Sequence, residues 1–77
     1  MRVYIARDKP SAARKQVAAI LAAVAGLELF PDSGRAGRKA GTRELVIGQT
    51  PYLAIYRRHK ENVEILRLLH GRQAWPD

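Results

Sequence analysis

The chain contains no cysteine among its 77 residues. That excludes disulfides and thiolate metal sites as supports for the fold, and it fits a reducing compartment. A chain this short buries only about 60% of the surface its unfolded form exposes, so its core has little margin. No apolar run approaches the roughly 20 residues a bilayer span needs. The most apolar stretch, Val17 to Leu29, is too short, and Met1 to Lys15 does not read as a signal peptide. The expected location is therefore the cytoplasm, in a single domain over 1–77 with no membrane partner.

Chemistry-bearing motifs are scarce as well. No glycine-rich phosphate loop ends in Lys-Ser or Lys-Thr, and the two histidines, His59 and His70, are not at metal-ligand spacing. No cofactor or metal is expected. Ser11 and Ser33 have no triad elements beside them, so an ordinary hydrolase is not indicated.

Acidic residues are also few: seven Asp and Glu against fourteen Lys and Arg, a formal charge of +7. The first 34 residues hold five basic and three acidic side chains, and the remainder holds nine and four. The excess thus lies mostly in the second part. A field of this sign favours acidic partners, whether nucleic acid, an acidic protein or an anionic surface.

The periodicity divides the chain into a helical and a stranded part. Pro10 to Leu29 reads as a helix, with Pro10 at a favoured first position and Asp8 where the dipole welcomes an anion. Ala13, Val17, Ile20, Val24 and Leu27 form one apolar stripe. Ala12, Ala19 and Ala23 form a second, of small residues suited to contact with another helix. Gly26 and Pro31 mark the stop. The lead-in Met1 to Arg7, with Val3, Tyr4 and Ile5, reads as the last turns of a preceding helix. Phe30 to Gly41 reads as a loop.

From Thr42 the period becomes two. Strands are expected over 42–47, 52–58 and 63–70, with turns at Gly48 to Pro51 and His59 to Asn62. Links this short imply an antiparallel meander. In the second strand Leu53 and Ile55 share one face, and Tyr52, Ala54 and Tyr56 the other. The third is apolar at Val63, Ile65 and Leu69 on one face and at Leu66 and Leu68 on the other. That pattern means cover on both sides, or a bulge. The expected fold is α+β: one long helix, with a short helical stub before it, packed on a three-stranded antiparallel meander.

One constellation of cations stands out: Arg43, Arg57, Arg58, Arg67, His70 and Arg72. Guanidinium groups clamp phosphates, and a histidine among them can move protons in RNA cleavage. The plainer reading is that they solvate the outer face of a small sheet, with ion pairs of little consequence. Trp75 is a partner anchor or a cover for exposed core.

The ordered set of Gly41-Thr42-Arg43-Glu44-Leu45-Val46, Thr50-Pro51-Tyr52, Tyr56-Arg57, Val63-Glu64-Ile65-Leu66-Arg67, Leu69-His70-Gly71 and Trp75-Pro76 resembles the second half of ParE toxins. Upstream, Tyr4-Ile5-Ala6, Pro10-Ser11-Ala12-Ala13, Phe30-Pro31 and Gly34-Arg35-Ala36-Gly37-Arg38 resemble the junction between the family's helices and the loop after them. The likeness runs through almost the whole chain. It implies a RelE/ParE-like toxin of a type II toxin–antitoxin system that inhibits DNA gyrase and is neutralised by a ParD-like antitoxin. Such a toxin is a poison rather than a catalyst. Two other readings stay open beside it, a RelE-like ribosome-dependent mRNA interferase and an inactive antitoxin-binding remnant.

The candidates for target binding are Arg43, Arg58, Arg72 and Trp75, and for antitoxin binding Val17, Ile20, Val24, Tyr52 and Tyr56. Catalytic candidates, if RNA were cut, are Arg57, Arg67, His70 and Arg72. By comparison with the family, a first strand and most of a first helix are expected to be lacking. That would leave the alanine stripe short of a partner and one sheet edge open to self-association or to a strand from the antitoxin.

Overall fold

The computed structural model describes residues 2–5 and 14–71. Helix α1 covers Arg14–Ala25 and tightens into a 3-10 turn over Gly26–Glu28. Alanine and long unbranched side chains fill most of it, and these lose little on becoming helical. The amides of Leu29 and Phe30 both donate to the Gly26 carbonyl, at 3.2 and 3.0 Å, and close the last turn before Pro31. Residues 10–13, including the expected proline start and Ala12 and Ala13, lie outside the described residues.

The sheet has five strands: β1 (Arg2–Ile5), β2 (Arg35–Ala36), β3 (Thr42–Val46), β4 (Tyr52–His59) and β5 (Asn62–His70). They lie in the order β1-β5-β4-β3-β2. The meander β3–β4–β5 is antiparallel and close to the expected bounds. The α+β class therefore holds, with more strand than expected.

Two corrections account for the difference. Met1 to Arg7 was expected to hold a helical stub, yet Arg2–Ile5 is a strand lying parallel to β5, with Val3 across from Val63 and Ile5 across from Ile65. β-Branched and aromatic residues suit a pleated surface better than a helix, and β5 offered an unpaired edge there. With β1 in place, β5 is an interior strand. The loop 30–41 also yields Arg35–Ala36, which pairs with Arg43 and Glu44 at the opposite edge. Two residues carry no period to read.

The double apolar face of β5 is a bulge. Ile55 pairs with Arg67 but Tyr56 pairs with Ile65, leaving Leu66 as the extra residue. The insertion reverses the phase, so Val63 and Ile65 before it and Leu68 after it all join one core. Leu69 turns to the other face, across from Leu53.

That core lies between α1 and one face of the sheet. Ile20, Val24 and Leu27 of the helical segment meet Ile47, Ala54, Tyr56, Val63, Ile65 and Leu68. Ala19 and Ala23 pack against the same cluster. The small-residue stripe was expected to receive a second helix; these two alanines instead border the core between α1 and the sheet.

Candidate functional site

The loop between helix and sheet is fastened to β4 by one side chain. Tyr56 is fully buried. Its hydroxyl accepts from the Gly34 amide at 2.9 Å and donates to the Pro31 carbonyl at 2.8 Å. A Cβ on residue 34 would lie 2.7 Å from the Glu44 carbonyl oxygen and from the Tyr56 ring, so only glycine fits.

Arg43 completes the fastening. Its Nη1 donates to the Gly34 carbonyl at 2.8 Å, and its Nε lies 3.5 Å from the Asp32 carboxylate. Arg58 reaches the same carboxylate at 3.7 Å. These two ion pairs are long and wet, and such pairs contribute about 0–1 kcal/mol. Arg43 and Arg58, expected to contact a target, thus sit astride Asp32 at the loop.

The sheet face turned away from α1 carries its own polar pattern. Strand register puts Glu44, Leu53, Ile55, Arg57, Glu64, Arg67 and Leu69 on it. Arg35 Nε lies 2.8 Å from Glu44 Oε1, and Arg57 Nε lies 2.7 Å from Glu64 Oε1. A cleft of about 330 Å³ opens here, lined by Arg35, Arg38, Glu44, Leu53, Leu69, His70 and Gly71, while Arg57 and Arg67 are not part of its lining.

The expected catalytic group does not assemble. Arg57 and Arg67 share the face away from the helix, whereas His70 is paired with Tyr52 on the helix side. The His70 ring stands edge-on to Tyr52, with centroids 5.6 Å apart and planes at 80°. Arg72 and Trp75 lie outside the described residues. Among the described residues no three His, Asp or Glu side chains gather as metal ligands.

Three of the residues expected to bind an antitoxin lie inside the fold. Ile20, Val24 and Tyr56 are 2%, 9% and 0% exposed and belong to the chain's own core. The apolar stripe of the helix is used in packing against the sheet. Val17 and Tyr52 are half-buried. The apolar side chains left on the surface are others: Leu21 at 57% exposed, Leu29 at 78%, Phe30 at 68% and Val46 at 60%. The sequence held one signal for them. Leu21 and Leu29 lie eight residues apart and fall outside the inward stripe.

Residues 1–75 match the family described as the ParE toxin of the type II toxin–antitoxin system parDE. The chain is also 48% identical over 73 residues to a curated protein of Sinorhizobium fredii (strain NBRC 101917 / NGR234) named "Putative toxin Y4kP". That alignment covers 95% of this chain and 75% of the relative. Among the described residues no helix is long and apolar enough to cross a membrane. With the match spanning nearly the whole chain, helix and sheet alike, this protein belongs to the ParE family, the toxin component of type II toxin–antitoxin systems.

Proposed function

We propose that this toxin acts in the cytoplasm by poisoning DNA gyrase, without cutting RNA, and that a ParD-like antitoxin neutralises it. One observation supports the reading above the others. The residues that would perform acid–base chemistry are divided between two faces, with Arg57 and Arg67 on one and His70 against Tyr52 on the other. Arg57 is further engaged by Glu64 at 2.7 Å. Cleavage through a 2′-hydroxyl needs acid and base within hydrogen-bond reach of one reacting centre. A stoichiometric poison needs no such convergence, only a surface.

In this reading the antitoxin seats on the exposed apolar side chains Leu21, Leu29 and Phe30. Induced expression in bacteria, read by DNA breaks and by mapping mRNA ends, tests the target. Double-strand breaks with intact mRNA, together with loss of supercoiling by purified gyrase on adding the chain, are the expected results. Transcripts cut at ribosomes while gyrase works normally would overturn the proposal.

A further inference from the structure

Two of the sheet's three hairpins, β2–β3 and β4–β5, bring their tips to the same end. The β2–β3 turn is held by the Gly37 amide on the Thr42 carbonyl at 2.8 Å. Thr42 in turn donates to the Lys39 carbonyl, from its amide at 3.1 Å and its hydroxyl at 2.6 Å. Thr42 pairs with Arg57, and His59 pairs with Asn62 across the neighbouring β4–β5 turn. Residues 37–43 and 57–62 therefore form one end of the molecule.

That end is strongly basic. It carries Arg38, Lys39, Arg43, Arg57, Arg58 and Lys60, with Glu61 as its own acid. Asp32 and Glu64 are the acids that reach it from outside. Six cations against three anions leave +3, close to half of the whole chain's +7. Arg38, Lys39 and Lys60 are exposed and have no acidic partner among the described residues. No large apolar side chain is exposed within 37–43 or 57–62.

Lys60 sits at the tip of its turn with φ of 59°, as Gln49 does at the β3–β4 turn with φ of 62°.

We infer that this basic end binds the phosphate backbone of duplex DNA without reading its sequence. Paired strands lie about 4.8 Å apart, so tips two strands apart are separated by about 10 Å. Phosphates recur about every 3.4 Å of axis along one DNA strand, which lets the two tips span a short run of them. Protein partners need an apolar centre, and single strands need aromatic platforms for their bases. Residues 37–43 and 57–62 offer neither, since they contain no Phe, Tyr or Trp. The inference does not rest on gyrase being the target, because the backbone contact involves DNA alone.

Fluorescence anisotropy of a short labelled duplex, titrated with the full chain at several salt concentrations, tests it without gyrase present. Three neutralised phosphates give a log–log salt slope of about −2.7, so a fourfold rise in salt weakens binding roughly forty-fold. The combined variant Arg38→Gln, Lys39→Gln and Lys60→Asn should bring the slope near zero. Arg14→Gln with Lys15→Gln, on exposed positions of α1, should leave it unchanged. Far-UV circular dichroism checks that each variant is folded. If the triple variant fails that check, Lys60→Asn alone carries the test, lowering the slope by about 0.9. Salt-independent binding, equal loss of slope in the two sets of variants, or equally tight binding of single-stranded DNA or polyglutamate would each overturn the inference.

Discussion

The Tyr56 hydroxyl lies 2.9 Å from the Gly34 amide nitrogen, across 22 residues of chain, and it is the buried point at which the loop after the helix meets the sheet. Its second bond, to the Pro31 carbonyl at 2.8 Å, uses the hydroxyl both as acceptor and as donor. Tyr56→Phe removes both bonds while keeping the ring. The expected cost is about 1–3 kcal/mol, set by the donor and acceptor left unsatisfied. For a domain of this size each kcal/mol lowers Tm by about 4–8 °C. Thermal unfolding that is unchanged in Tyr56→Phe would show that water replaces the hydroxyl without loss.

Gly34→Ala attacks the same contact from the other side. The new methyl would stand 2.7 Å from a backbone oxygen as well as from the tyrosine ring, so a rotamer change alone cannot relieve it. Forced overpacking of this kind costs about 1–3 kcal/mol. Because both substitutions break one contact, their effects should not add. A double variant with Tyr56→Phe, measured by urea unfolding, is expected to lose clearly less than the sum of the singles. Full additivity would mean that the residues do not act through each other.

Two leucines of the helical segment should behave in opposite ways. Leu27 is fully buried, while Leu21 is 57% exposed. Leu27→Ala is expected to cost about 2–5 kcal/mol, a large share of the roughly 5–15 kcal/mol that folded domains possess. Leu21→Ser should leave stability within about 0.5 kcal/mol yet weaken capture of the antitoxin, if the exposed apolar set is its seat. Paired unfolding and co-purification measurements on the two variants separate the roles. Normal antitoxin capture by a folded Leu21→Ser protein would move the interface elsewhere.

The helix and meander were legible because their periods run long enough to show. Ile20, Val24 and Leu27 recur at helical spacing, and all three are in the core. Leu53 and Ile55 alternate with Ala54 and Tyr56, and the register keeps them on separate faces. What escaped was short or non-local. Arg35–Ala36 is too brief for any pattern, and the parallel pairing of Arg2–Ile5 depends on a partner about sixty residues away. The bulge at Leu66 was legible only as a conflict, with apolar residues on both faces of one strand. At the candidate site the cations were visible, but their grouping was not. Which face each one occupies follows from register, and a one-residue shift moves a side chain to the other side. His70 is the instance, since it lies just past that shift and ends up beside Tyr52 rather than with Arg57.

That separation makes the last prediction, which concerns Arg57 and His70. Arg57 is exposed and paired with Glu64 at 2.7 Å. An ion pair so placed contributes about 0–1 kcal/mol. Arg57→Gln should therefore leave the fold essentially intact. His70→Gln removes the edge-on contact with Tyr52, and such a contact contributes about 0.5–1.5 kcal/mol beyond the area it covers. If the toxin is a gyrase poison, neither group acts as an acid or a base, and growth inhibition on induction should persist in both variants. An RNA-cleaving toxin that used them would behave differently, because removing a general acid or base slows the reaction by about 10²–10⁴-fold. Growth curves after induction, with protein levels matched by immunoblot, distinguish the two cases. Abolished toxicity in a folded, well-expressed Arg57→Gln or His70→Gln protein would return these residues to a catalytic role and count against the gyrase reading.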